Sequence, residues 1–148
     1  MEKIYEVVKI KQIVKEVELL QAEQIGSPED VADVAKVYIG DEDREVFLVI
    51  CLNTKNKVIA VHRCHVGLIN ASIVHPREIF KSAILNNASS IVVAHNHPSG
   101  DPEPSREDIE VTRRLVEAGK LMGIQVLDHL IIGGALNRFI SLKEKGYL

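Results

Sequence analysis

The sequence has no tryptophan, only three tyrosines and only three phenylalanines. A platform that stacks successive bases needs more aromatic side chains than that, so such a surface is excluded. Cysteine is scarce as well: Cys51 and Cys64 are the two present. Two cannot make a disulfide framework, and free thiols suit a reducing compartment. No stretch approaches the ~18 consecutive apolar residues of a membrane span. The opening Met1-Glu2-Lys3-Ile4-Tyr5-Glu6 lacks the apolar core of a signal peptide. A cytoplasmic protein without membrane contact is the expectation. Positive charge is not in excess either, with 18 Lys and Arg against 21 Asp and Glu, a net charge of −3. Autonomous nucleic-acid binders are usually strongly basic, so DNA binding is expected to be weak or absent.

What remains has ordinary globular proportions, 46% hydrophobic and 26% charged. At roughly 100–200 residues per domain, 148 residues make one domain with a short appendage. Residues 1–27 are read as that appendage and 28–148 as the domain. In the appendage, Val7, Ile10, Ile13, Val14 and Val17 fit helical spacing, but Tyr5 to Ile10 reads equally as an edge strand, and a short strand is expected first. Ser27, Pro28, Glu29 and Asp30 then form a helix start, followed by Val31, Val34, Ala35 and Tyr38 at helical spacing. Val46 to Leu52 is a continuous apolar, β-branched run of strand length. Asn53 to Lys57 is a turn, and Val58 to Val66 completes a hairpin. Pro76 opens a helix with Ile79, Ala83, Ile84 and Leu85 as its stripe. Ser89 to Ala94 is a short buried strand, with Ile91 to Ala94 as its apolar run. Three prolines and a glycine shape the following loop to Pro104. Ser105 starts a helix carrying Ile109, Val111, Leu115, Val116 and Ala118. Ile124 to Ile132 is strand, Gly133-Gly134 a turn, and Arg138 to Ile140 a short last strand. Alternating strands and helices predict an α/β fold with a mixed sheet flanked by helices.

The chemistry concentrates in His95-x-His97 and Ser105-x-x-Asp108. If strand geometry persists through His97, residues two apart project from one side, so both imidazoles reach one ion. Asp108 lies in the first turn of the next helix, and the proline-rich loop folds that turn back. Two His and a carboxylate with an open position form the ligand set of a catalytic zinc site. The strand end and helix start is also where α/β sheets place ligands. Ser105-x-x-Asp108 is equally a helix-capping pattern, and Asp108 can cap, ligate or do both. A two-His, one-carboxylate iron site is the alternative on ligand type.

His95-x-His97, seven residues, then Ser105-x-x-Asp108 resembles the JAMM motif of the JAB/MPN metalloproteins. The longer string His95-Asn96-His97-Pro98-Ser99-Gly100-Asp101-Pro102-x-Pro104-Ser105-x-x-Asp108 resembles the RadC branch. Glu45-Val46-Phe47, His75-Pro76-Arg77-Glu78 and Asp128 to Gly133 add to the match, which spans about Pro28 to Leu148. The resemblance implies a cytidine-deaminase-like α/β fold, with zinc held by His95, His97 and Asp108. It also implies a catalytic glutamate at Glu45 and an oxyanion-stabilising role for Ser105. Without it, Glu45 reads as a solvated charge in the acidic run Asp41 to Glu45. RadC proteins usually carry an N-terminal helix-hairpin-helix region, which this chain does not match.

Among other polar residues, Asp128 and His129 interrupt an apolar run. Neighbouring strand residues face opposite sides, so at most one of them faces the site, in a supporting role. His62 and Cys64 share a strand face but have no third ligand in sequence. His75 leads into a helix, and Arg77 and Glu78 fall on its solvated first turn. Three functions are weighed: a zinc hydrolase of peptide or isopeptide bonds acting on a peptide or protein substrate, a DNA-repair role as nuclease or accessory, and a non-catalytic binding module. Residues 101–110 hold five carboxylates against Arg106 alone, which repels phosphate. The H-x-E and P-C-x-x-C elements of zinc deaminases are missing. The hydrolase is the leading expectation.

Overall fold

A computed structural model describes residues 1–18, 24–134 and 138–148. Residues 1–18 form no regular element, so the strand expected over Tyr5 to Ile10 is not formed. Every apolar residue from Ile4 to Val17 is more than half exposed. A strand needs a ladder partner and a face to bury, and this segment meets neither. The packed body begins with a bridge between Gln24 and Lys57 and with buried Ile25.

Helix α1 (Pro28–Ile39) starts as its sequence dictates. Ser27 Oγ accepts from Asp30 N, and proline occupies the first turn. Strands β1 (Val46–Leu52) and β2 (Val58–Val66) form the hairpin. Short helices α2 (Pro76–Ile79) and α3 (Lys81–Leu85) replace the single helix expected from Pro76. Ile79, Phe80 and Ala83 are buried there, whereas Ile84 and Leu85 are exposed. Turning two successive bulky residues inward breaks the expected stripe at Phe80. Strand β3 (Ser90–Asn96) runs two residues beyond the expected end at Ala94. Helix α4 (Arg106–Met122) crosses over to β4 (Gln125–Ile132), and β5 (Phe139–Ser141) closes the sheet.

The sheet order is β2-β1-β3-β4-β5. β3 and β4 are parallel and the other pairs antiparallel, the mixed α/β sheet expected. β1 lies inside the sheet, between β2 and β3, and is wholly buried. Phe47, Val49 and Cys51 face the side covered by α2, α3 and α4, while Leu48, Ile50 and Leu52 face α1. Burial on both faces is why this run shows no polar alternation. The crossover leaves the carboxyl ends of β3 and β4 beside the amino end of α4.

Candidate metal centre

His95 is fully buried near the end of β3, and His97 follows two residues later at the rim. Their Nε2 atoms lie 3.1 Å apart, so the same-side expectation for residues two apart is met. Asp108 is 2% exposed in the first turn of α4. Its Oδ1 is 3.1 Å from His95 Nε2 and its Oδ2 is 3.1 Å from His97 Nε2. Capping and convergence coexist at this residue. Asp108 N donates to Ser105 Oγ at 3.1 Å, and Ser105 N donates to Asp108 Oδ2 at 2.9 Å. The box fixes the carboxylate at the amino end of α4, the positive end of the helix dipole.

The intervening loop is held in register by glycine. Gly100 has φ +90°, and a Cβ on Gly133 would sit 2.6 Å from Gly100 O. A side chain at Gly133 would push the loop off the end of β4 and move Ser105 and Asp108 with it. The same loop orients His97, because Nδ1 lies 2.8 Å from Asp101 O. A carbonyl only accepts, so Nδ1 carries a proton and Nε2 faces the cluster.

Behind His95, Nδ1 is 2.7 Å from His129 Nε2, and His129 Nδ1 is 2.5 Å from Thr112 Oγ1. Thr112 Oγ1 donates to Asp108 O at 2.8 Å. Phe47 stacks on His95 with ring centroids 6.1 Å apart and meets His129 edge-on at 5.5 Å. Burial pushes His129 well below its ordinary pKa, so this ring is neutral. Burial alone would raise Asp108, but its contacts with the two imidazoles and the Ser105 N–H outweigh it and hold the carboxyl well below the carboxylate range. The bond to Asp108 raises His97 against the opposing effect of its burial.

An open cleft of about 470 Å³ leads to this cluster, lined by Glu45, Leu68, Ile69, Asn70, His97, Pro98, Ser99, Ser105, Glu107 and Asp108. Glu45 just precedes β1, and its Oε2 accepts from Ile69 N at 3.1 Å. Asn96 locks the segment that carries it. The amide Oδ1 accepts from Val46 N at 2.7 Å, and Nδ2 donates to Arg44 O at 2.8 Å. One side chain on β3 thus grips the backbone on both sides of Glu45.

His95, His97 and Asp108 each offer a ligand atom, and these lie within 4.8 Å of one another. Two imidazole nitrogens and a carboxylate match the donor chemistry of a divalent transition metal. Among the described residues this is the one group of three or more His, Cys, Asp or Glu side chains so placed. A model of the RadC-like JAB domain matches residues 25–147. The chain belongs to the RadC-like JAB domain family. A UPF0758 protein of Caldanaerobacter subterraneus is 58% identical over 123 residues, covering 83% of this chain and 52% of that protein. UPF0758 protein YsxA of Bacillus subtilis is 56% identical over 124 residues, 84% of this chain and 53% of its own length. A UPF0758 protein of Methanosarcina barkeri is 49% identical over 125 residues, 84% and 54% respectively. The chain therefore spans about half the length of the curated relatives it matches.

In this RadC-like JAB domain the five residues singled out from sequence share one place: three converge, and Glu45 and Ser105 line the cleft above them. His129 faces the cluster, while Asp128 turns away to accept from Ser141 Oγ at 2.6 Å and Lys143 N at 3.1 Å. Cys64 Sγ is 3.5 Å from Phe47 O, and His62 is exposed on β2, so neither joins a metal cluster. Sequence reading missed Thr112, Asn96 and the Leu68–Asn70 wall. Thr112 carried a signal, lying four residues after Asp108 and hence on the same helix face. Asn96 carried none, because its partners lie some fifty positions away in sequence.

Proposed function

We propose that this domain is a zinc hydrolase of peptide or isopeptide bonds, with His95, His97 and Asp108 as ligands, Glu45 as general base and Ser105 as oxyanion donor. The observation that carries the reading is the convergence of two imidazoles and one carboxylate on the floor of a cleft lined by a second carboxylate and a hydroxyl. A zinc ion bound by such a set polarises a carbonyl and brings the pKa of a water molecule towards ~7. Glu45 has one carboxylate oxygen fixed by Ile69 N–H. The other is assigned to accept a proton from water and hand it to the leaving amine. The water oxygen ends in the new carboxyl group, so the scissile C–N bond is exchanged for C–O and N–H. Ser105 accepts the Asp108 amide through its oxygen, which leaves the hydroxyl proton to donate to the tetrahedral oxyanion. Such a donor is typically worth ~3–4 kcal/mol in the transition state.

The DNA-directed reading has less support. Glu45, Glu107 and Asp108 line the cleft together, and phosphate is repelled by such a rim. The test is a panel of peptides, isopeptide-linked conjugates and nucleic acids, offered to zinc-loaded parent protein and to Glu45→Gln. The variant keeps size and hydrogen bonding but cannot accept the proton. We expect cleavage of an amide-linked substrate by the parent and a loss of roughly 100-fold in Glu45→Gln with unchanged zinc content. Equal cleavage by both would remove Glu45 from the mechanism. A parent that cleaves only nucleic acid, or nothing on the panel, would overturn the hydrolase reading.

A further inference from the structure

The chain of contacts behind His95 has a direction. A threonine hydroxyl has one proton. Thr112 commits that proton to Asp108 O, a backbone carbonyl that can only accept, at 2.8 Å. Towards His129, 2.5 Å away, Thr112 Oγ1 is therefore an acceptor, and His129 Nδ1 must carry the ring proton. His129 is wholly buried, and its two nitrogens meet a hydroxyl and an imidazole, not a carboxylate. A second ring proton would be a buried, unpaired charge, so Nε2 is a lone pair. That lone pair lies 2.7 Å from His95 Nδ1, which must then be the N–H. The consequence appears at the other nitrogen of His95, where Nε2 turns towards His97 and Asp108.

We infer that Thr112 and His129 are positioning residues that fix the tautomer of His95, so that Nε2 presents a lone pair to the candidate metal centre. The inference rests on the proposed metal-binding reading for its purpose, but not for its geometry. It explains why a third histidine, His129, is buried beside the cluster without being part of it. His97 needs no such relay, because Asp101 O fixes its ring directly. The relay is also closed. It starts at the backbone of Asp108 and ends at a ring that meets the carboxylate of the same residue, so the helix that supplies one ligand also orients another. Ligating histidines are commonly oriented by such partners, and losing one typically costs 10–100-fold in metal affinity.

Thr112→Val keeps the shape and removes the hydroxyl, whereas Thr112→Ser keeps the hydroxyl. Without an acceptor at Thr112, a proton on His129 Nδ1 would be buried and unpaired, a costly state. The ring should then carry its proton on Nε2 and donate to His95 instead. The experiment records histidine tautomers by nitrogen-15 NMR in the metal-free chain. Zinc affinity is measured in parallel by competition with a chromophoric chelator, and melting temperature verifies folding. We expect a proton on His129 Nδ1 in the parent and in Thr112→Ser. We expect loss of that preference in Thr112→Val, with zinc bound about tenfold more weakly than by the other two. Three results would overturn the relay: a parent His129 protonated on Nε2, a Thr112→Val protein with parental tautomer or parental affinity, or a Thr112→Ser protein as impaired as Thr112→Val. If the parent binds no zinc, the metal reading fails, and the tautomer pattern alone then decides the relay.

Discussion

Asp108 serves two structures at once, and that dual use shapes what pH does to the metal-free chain. Its carboxylate ends the capping box of α4 and meets both imidazoles. His97 gains a partner on folding, so its pKa is raised above the ordinary 6.5. The stability it contributes is fully present below 6.5 and is lost as pH rises through the raised value. His129 has the opposite sign. Its folded pKa lies well below 6.5, so the unfolded chain binds the proton that the folded chain refuses, and stability falls as pH drops below 6.5. These two groups therefore place the maximum for metal-free protein near 6.5. Melting temperatures between about pH 5.5 and 8.5 check this. His97→Ala should flatten the alkaline limb and leave the acid limb; equal alkaline slopes in both proteins would contradict the assignment. At this scale the sequence was readable where residue type and short spacing decide, as in His95-x-His97 and Ser105-x-x-Asp108. It was silent where a hydrogen bond joins distant positions, as between Asn96 and Arg44.

At the scale of elements, the site is a junction of the β3 end, the α4 start and the segment entering β1. The first two were legible from strand alternation and from the Ser105 cap. The third depends on Asn96, which clasps Arg44 O and Val46 N while its neighbours His95 and His97 face the cluster. Asn96→Ala should leave the buried Val46 N–H unpaired, at a cost of about 1–3 kcal/mol. Glu45 would lose its register, so hydrolysis should fall while zinc content stays near the parental level. Chemical denaturation, metal content and turnover on one substrate separate these effects. Parental turnover in a destabilised variant would reduce Asn96 to a purely structural role. The division into α2 and α3 was not legible, because the burial of Phe80 beside Ile79 is imposed by the sheet they cover. The strand expected over Tyr5 to Ile10 failed for a related reason: its apolar residues suit a strand, but no neighbour supplies the ladder.

For the whole molecule, both faces of a five-stranded sheet are covered by helices, and no helix among the described residues is long and apolar enough to cross a membrane. The net charge of −3 and the acidic segment after His97 set the long-range field. Duplex and single-stranded DNA titrated at ~150 mM salt should show weak, sequence-independent binding at most. Submicromolar affinity that persists as salt rises would revive the repair reading for this domain. The α/β class and mixed sheet were legible from alternating element types, since a wholly apolar β1 signals a strand covered on both faces. The cleft wall from Leu68 to Asn70 was not, because only the fold brings that loop beside His97 and Asp108.

The central claim is that His95, His97 and Asp108 make one metal centre. Its most direct test is elemental analysis of the chain purified without added metal and then titrated with zinc, alongside His97→Ala and Asp108→Ala. The account predicts about one zinc per parent chain, its loss from both variants, and a rise in parental melting temperature on loading that neither variant shows. Equal zinc in parent and variants, or a folded parent that binds none, would contradict it.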